Sequence, residues 1–271
     1  MKKLLGILFM IVCLAFASMA FANGGNTTTV DQAGGPNTAT VAQSGSGNDI
    51  DVEQDATGAN TADVTQDGNG NDADIVQDGA SNSAVVVSEG DGNVVDVEQT
   101  AEGANTADID QDGDGNKAIA LQDPTGNNNL TVIQTGTDNS ANIDQNAELL
   151  NYAYVEQYGS GNENILAGVD ESVGPPYTMI DADEPAIQIS ANSYNELDVF
   201  QQGSYNEIGL YQNADSYNIA DIDQCNGGNM LVAWQSASSG SNYLDVDQSG
   251  ADSAVVYQNA STGNNSAIVS Q

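Results

Sequence analysis

The sequence has almost no basic residues. Three lysines, with no arginine and no histidine, stand against 39 acidic residues, which gives a net charge of −36. A nucleic-acid-binding protein needs a basic surface to displace counterions from phosphates, so this function class is excluded. An anionic membrane is disfavoured for the same reason, unless a divalent cation bridges the two surfaces. Without histidine, any response to acid must come from aspartate and glutamate.

Residues 1–22 have the pattern of a secretory signal peptide, which is removed on export. Lys2 and Lys3 precede an apolar run over residues 4–16, and Ala20-Phe21-Ala22 forms a small-x-small cleavage site. The apolar run is too short to span a membrane. We therefore predict export through the periplasm to the cell surface or the extracellular space, with Lys117 as the only basic residue of the mature chain.

Cysteine is nearly absent too, with only Cys13 and Cys225 in the whole chain. Val12 before Cys13 is larger than lipoprotein processing accepts, so we expect no lipid anchor. After cleavage Cys225 has no partner for an intramolecular disulfide, although export leads to an oxidising compartment. We interpret it as a small residue at a turn, with an intermolecular cross-link as the alternative.

A seven-residue phrase, Asn-x5-Gln, recurs every eleven or twelve residues along most of the chain. Three copies are degraded: Asn82 ends at Ser88, Asn162 ends at Gly168, and Asp252 replaces the leading Asn before Gln258. The clean copies begin at Asn26, Asn37, Asn48, Asn60, Asn71, Asn93, Asn105, Asn116, Asn128, Asn139, Asn151, Asn195, Asn206, Asn218, Asn229, Asn242 and Asn265.

Each phrase alternates like a half-buried β-strand. In the copy that starts at Asn60, the residues Asn60, Ala62, Val64 and Gln66 share one face, and the residues between them are polar. Glycine-rich segments such as Gly68-Asn69-Gly70 separate the phrases and supply the positive φ angles of tight turns. Two strands and two turns form a unit of 22 to 24 residues. The pattern predicts an all-β fold, a flattened β-solenoid of about ten stacked units.

Stacking of parallel units at ~4.8 Å places each Asn above an Asn and each Gln above a Gln. Their amides can then donate and accept along the column, whereas a buried amide without partners costs about 1 to 3 kcal/mol. Only the ends of the stack leave such groups unpaired, so the ends are the predicted functional surfaces. The predicted ladder residues are Asn37, Gln43, Asn48, Gln54, Asn60, Gln66, Asn71, Gln77, Asn105, Gln111, Asn206, Gln212, Asn218 and Gln224.

The pattern Asn60-x5-Gln66-x-Gly68-x-x-Asn71-x-Ala73-x3-Gln77 resembles the curlin repeat of curli subunits, the secreted functional amyloids of bacterial biofilms. The family usually has Ser at the leading position, where this chain has Asn. The resemblance implies a structural subunit that polymerises by edge-strand pairing into an extracellular fibre for biofilm matrix or surface adhesion. It also implies further copies of this chain as partners, with a nucleator subunit and an outer-membrane secretion channel as accessory partners.

The phrasing is lost over residues 167–193, which contain Pro175, Pro176 and Pro185. Proline cannot donate to a central strand ladder, so we predict a loop or degraded repeat there. The predicted organisation is a signal peptide (1–22), an N-terminal repeat array (23–166), this loop (167–193) and a C-terminal repeat array (194–271).

The acidic residues are periodic as well. Asp51, Asp74 and Asp96 occupy the same outward position in alternate phrases and should stack. Two carboxylates ~5 Å apart repel by about 0.9 kcal/mol in water, and salt screens this repulsion. The sequence therefore predicts that assembly depends on salt and pH, with diffuse screening by Ca²⁺ or Mg²⁺.

Asp108, Asp110 and Asp112 match the first half of a calcium loop, but Ile119 occupies the position of its bidentate Glu. They are only weak candidates, so we predict neither a dedicated metal site nor a cofactor.

A β-solenoid is also compatible with two other functions. An enzyme could use paired carboxylates, but with 39 acids spread along the chain some pairs arise by chance. The alternative is a monomeric cell-surface β-solenoid, either an adhesin or a ligand- or ion-binding protein. Such a monomer needs capped ends, whereas repeat phrases begin at Asn26 and end at Gln271. We therefore predict a polymer-forming subunit that is not an enzyme.

Overall fold

The computed structural model describes residues 24–56, 58–100, 103–123, 127–147, 150–165, 186–190, 195–214, 218–237, 241–260 and 264–271. In these ranges all regular structure is β-strand, in two parallel sheets. The described ranges contain no helix, and so none that is long and apolar enough to cross a membrane.

The chain alternates between the two sheets, one strand at a time, as the repeat period predicts. The first sheet contains β1 (Thr27–Gly34), β3 (Asp49–Ala56), β5 (Asp72–Asp78), β7 (Val94–Gln99), β9 (Lys117–Asp123), β11 (Ser140–Ala147), β13 (Glu163–Ile165), β14 (Ala186–Ser190), β16 (Glu207–Ala214), β18 (Met230–Ala237) and β20 (Ser253–Ala260). The second contains β2 (Thr38–Ser46), β4 (Thr61–Asn69), β6 (Ser83–Glu89), β8 (Thr106–Asp114), β10 (Asn127–Thr137), β12 (Leu150–Ser160), β15 (Asn195–Ser204), β17 (Asn218–Cys225), β19 (Asn242–Ser249) and β21 (Asn265–Ser270).

Each strand pairs with the strand one repeat later, in a register that places like residues side by side. Gln43 pairs with Gln66, and Thr38 pairs with Thr61. The second sheet has ten strands in sequence order, and the first has the same number of layers because β13 and β14 share one. The predicted β-solenoid is therefore confirmed, and one pair of sheets continues through both repeat arrays.

The core lies between the sheets and consists of two apolar positions from each strand. The column Ala39, Ala62, Ala84 and Ala107 is buried and in register, as predicted. Larger residues, including Leu210, Leu231 and Leu244, fill the core in the C-terminal half. Because each layer packs on similar side chains above and below, one flattened core runs along the whole stack.

The seventh layer of the first sheet is formed by two segments far apart in the sequence. Glu163–Ile165 pairs with the beginning of β11, and Ala186–Ser190 pairs with its end. Gln188 stands in register between Gln145 and Gln212, so the phrase that starts at Asn162 is completed across an insertion. The sequence pattern predicts the end of this phrase at Gly168, which lies outside the described residues, as do the three prolines of the segment.

The two edges of the solenoid differ. From the second sheet to the first, most turns have four residues between Gln and Asn, and from the first sheet to the second the number varies. In most of the uniform turns a glycine at positive φ follows the Gln by two residues, for example Gly113 at φ 123° and Gly136 at φ 121°, whereas Asn226 at φ 72° takes this place after Gln224. A Cβ on Gly113 would lie 1.9 Å from the carbonyl oxygen of Gly136, so position 113 accepts only glycine.

Candidate assembly interface

The glutamines of the first sheet form side-chain ladders from Gln32 to Gln145 and from Gln212 to Gln258, and every bond in them runs in the same direction. Nε2 of Gln54 donates to Oε1 of Gln77 at 2.6 Å, and Nε2 of Gln77 donates to Oε1 of Gln99 at 2.8 Å. The same donation continues from Gln99 to Gln122 and, later in the chain, from Gln212 to Gln235 and from Gln235 to Gln258. Each amide hydrogen points towards the C-terminal end, so the ladder has a polarity.

The second sheet has an equivalent ladder with one break. Nε2 of Gln111 donates to Oε1 of Gln134 at 2.9 Å, and Gln224 donates to Gln248 at 2.8 Å. The side chain of Ser88 is too short to bring its hydroxyl within hydrogen-bond distance of Nε2 of Gln66. As a result, Nε2 of Gln66 is buried and has no acceptor among the described residues. An orphaned donor of this kind costs about 1 to 3 kcal/mol, so Ser88 marks a weak layer.

The leading asparagines behave differently from the expected side-chain ladder. In nine successive contacts along the first sheet, the backbone N–H of the leading residue donates to Oδ1 of the preceding leading Asn, at 2.9–3.3 Å. Nδ2 mostly donates to turn carbonyls, as Asn48 does to Ser44 and Gly68. The asparagine side chains thus form hydrogen bonds mainly with backbone groups of neighbouring turns. Their amides lie close to the backbone because the side chain is one methylene shorter than that of glutamine.

The predicted ladder residues take two kinds of place in the described structure. The glutamines among them are buried, and each takes part in a Gln-to-Gln bond of its column. Asn48, Asn60, Asn71, Asn105 and Asn206 are buried at turns, whereas Asn37 is half-buried in the first layer. The side chain of Asn218 lies outside the described residues, but its backbone pairs with Asn195 and Asn242.

Both ends of the solenoid present open strand edges. In the described part of the chain, nothing pairs with the outer edges of β1 and β2 at one end or of β20 and β21 at the other. Inward residues of these strands, namely Val30, Val256, Ala267 and Val269, pack on the core but remain only partly buried. Unpaired backbone groups beside uncovered apolar side chains are the features of a template for a further strand.

Acidic columns cover much of the outer faces between the ends. Asp51, Asp74 and Asp96 are in register, as predicted. Burial, together with the carboxylates of Asp96 and Asp51, raises the pKa of Asp74 above its usual value. A second column, Asp198, Asp221 and Asp245, lies on the second sheet. Burial and then Asp245 raise the pKa of Asp221 in the same way.

The terminal strands are nearly free of outward acids. The exposed outward residues of β20 and β21 are Ser, Val, Tyr, Asn and Ile, and Asp31 is the only outward acid on β1 and β2. The acidic columns therefore stop before both open edges. Sequence analysis missed this distribution, although the signal was present in the outward positions of the first and last phrases.

Asp108, Asp110 and Asp112 all lie exposed on the outer face of β8. Alternate residues of one strand are ~6.6 Å apart and do not converge. Across the described ranges, no group of three or more His, Cys, Asp or Glu side chains could hold a metal ion.

Cys225 is free and half-buried at the end of β17. Burial and the carboxylates of Asp223 and Asp247 raise the pKa of its thiol, which disfavours the thiolate form.

Comparison with known proteins identifies the repeat. The model of the curlin-associated repeat matches residues 25–55, 68–100, 104–146 and 136–165, which together reach from β1 to β13. No curated protein and no solved structure matches the chain significantly.

Proposed function

Because the chain belongs to the curlin-repeat family, we propose that it is a structural subunit of a curli-like extracellular fibre. Its role is to polymerise, in biofilm matrix or in surface adhesion, and not to catalyse a reaction. The observation that carries this proposal is the pair of open edges, in which strands β1 and β2 are complementary to β20 and β21.

The complementarity concerns both the core and the ladders. If the register of the solenoid continues from one copy to the next, Val256 stacks on Val30, and Val269 stacks on Val41. The terminal glutamines, Gln258 and Gln271, then meet Gln32 and Gln43. Since all ladder bonds run towards the C-terminal end, amide hydrogens of one copy face amide oxygens of the next. Head-to-tail addition preserves this polarity.

Electrostatics favours contact at the same edges. A chain with a net charge of −36 repels its copies, and carboxylates stacked across a junction add to that repulsion. The terminal strands bring only Asp31 to the outer surface of the junction. The contact therefore forms where the cost in charge repulsion is lowest.

Export by the leader at residues 1–22 places the subunit outside the cytoplasm, where assembly takes place. Its principal partners are further copies of itself. A nucleator subunit and an outer-membrane secretion channel are the accessory partners that this type of fibre uses.

Electron microscopy and fibre diffraction of the purified chain over residues 23–271, with and without millimolar Ca²⁺, test the proposal. We expect fibres with a meridional reflection near ~4.8 Å, and faster growth when Ca²⁺ screens the acidic columns. A soluble, β-rich monomer under both conditions would contradict the proposal and favour a monomeric adhesin or ligand-binding solenoid.

A further inference from the structure

The column of leading residues in the first sheet changes chemistry at its last position. Nine of its members, from Asn26 to Asn229, are asparagines, and the tenth is Asp252 at the start of β20. Asp252 takes the asparagine place in the structure, because its backbone N–H donates to Oδ1 of Asn229 at 3.2 Å. The single carboxylate of the column therefore stands at the edge that a following copy meets.

We propose that Asp252 is the specificity-determining residue of the subunit junction and that its carboxylate accepts the backbone N–H of Asn26 from the next copy. This inference rests on the proposed fibre function. Its geometry continues the contact that recurs through the whole column, in which each leading N–H donates to the side-chain oxygen of the preceding layer. Asn26 is the one described member whose N–H can meet only another copy in this way.

The carboxylate changes the contact in two respects. A hydrogen bond to an ionised oxygen is roughly twice as strong as one between neutral groups, so the junction is held more firmly than an internal layer. Asparagine also carries Nδ2, which donates to turn carbonyls in the internal layers. Asp252 brings acceptors alone, and it therefore matches an edge that offers a donor.

The same contact makes the junction directional. Head-to-tail addition continues the parallel register and places Asp252 beside the N–H of Asn26. A tail-to-tail contact would pair β20 antiparallel with a strand of the second copy, so Asp252 would not lie in register with a leading N–H. The bond to Asp252 is therefore available only to head-to-tail addition.

Seeded elongation of the full chain tests the proposal, with Asp252→Asn compared with Asp247→Asn. Both substitutions remove one negative charge, but Asp247 lies exposed on the outer face of β19, one layer inside the junction and outside the column of leading residues. We expect Asp252→Asn to raise the critical concentration about tenfold and Asp247→Asn to leave it unchanged or lower it. Equal critical concentrations for the two variants, or a lower one for Asp252→Asn, would overturn the proposal.

Cross-linking gives an independent measurement should Asp252→Asn fail to fold. In a Cys225→Ser background, Asn26→Cys with Asp252→Cys places two cysteines with Cα atoms ~4.8 Å apart across the junction, within the Cα–Cα range of disulfides. We expect covalent multimers on oxidation of fibres but not of monomers. The control pair Asn37→Cys with Asp252→Cys lies on opposite edges of the solenoid and should not cross-link. Fibres that fail to cross-link through 26 and 252 refute this junction but leave fibre formation intact, whereas absence of any wild-type fibre refutes the proposed function itself.

Discussion

The outer face of the first sheet changes from acidic to aromatic residues between its two halves, whereas the inner face keeps the same apolar pattern. Outward positions of β3, β5 and β7 carry the stacked acids Asp51, Asp74 and Asp96. Equivalent strands in the C-terminal half carry Tyr211 and Trp234, whose ring centroids are 4.1 Å apart. The inner face has small or branched apolar residues and glutamine in both halves.

This difference arises because stacking constrains the inward side chains of a layer more than the outward ones. An inward side chain has neighbours above, below and across the core, so its volume and hydrogen bonds are constrained on every side. Most outward side chains pack on their neighbours in the column and also face water. This comparison indicates that inward and turn positions tolerate few substitutions, whereas outward positions tolerate many. Four predictions test this difference.

The largest effect is expected at the glycine column. Gly113→Ala places a Cβ 1.9 Å from the Gly136 carbonyl oxygen at φ 123°, so backbone must shift in both layers. We expect a loss of about 3 kcal/mol or more in the free energy of unfolding, measured by denaturant titration. Gly70 is the matched control, since it has φ 67° and no atom within 4 Å of the added Cβ. Gly70→Ala should cost only about 1 kcal/mol.

The second prediction compares two glutamines with different numbers of partners. Gln77 donates to Thr61 and Gln99 and accepts from Gln54, whereas Gln66 has only the bond it accepts from Gln43. Gln77→Ala should cost about 2 to 4 kcal/mol and Gln66→Ala about 1 kcal/mol less. Seeded growth followed by dye binding should slow in the same order. Equal losses for the two variants would mean that the ladder bonds contribute little.

The third prediction repairs the weak layer. Ser88→Gln gives Nε2 of Gln66 an acceptor and restores the ladder through Gln111, so we expect about 1 kcal/mol of added stability. Thermal unfolding followed by circular dichroism measures the shift. Ser83→Gln is the control, because Ser83 lies on the outward face of the same strand. A destabilised Ser88→Gln variant would indicate that the longer side chain does not fit the layer.

The smallest effect concerns the outer acids. Burial and neighbouring carboxylates raise the pKa values of Asp74, Asp221 and Asp223 above their ordinary values. A raised carboxyl pKa means that the folded state disfavours the charged form. Stability should therefore increase as the pH falls from neutral through these raised pKa values, and the gain should be complete below the unfolded-state pKa.

The melting temperature measured between pH 7 and pH 4 checks this direction. Asp74→Asn should be slightly more stable than the wild type at pH 7, and it should lose that advantage at pH 4. A melting temperature that falls as the pH is lowered from 7 to 4 would show that other titratable groups dominate the pH dependence of stability.

Much of the fold could be predicted from the sequence because residues that are one repeat apart become neighbours in the stacked structure. Ala39 and Ala62, or Gln43 and Gln66, stack simply because they occupy the same place in successive units. Sequence reasoning missed Gln188, since the phrase that begins at Asn162 resumes only after the insertion and no local pattern connects the two parts. It also expected asparagine and glutamine to form the same kind of ladder, whereas asparagine bonds mostly to backbone groups. Asn-to-Asn side-chain bonds occur among the described residues only from Asn139 to Asn116 and from Asn229 to Asn206.

What the sequence by itself determined is the period, the inward and outward faces and the columns of like residues, because these follow from alternation along a strand and from repetition. Only the tertiary structure decided the direction of the glutamine bonds, the break at Ser88, the completion of the seventh layer and the place of Asp252 at an open edge. These features depend on side-chain conformation and on contacts between layers, which a linear pattern does not specify.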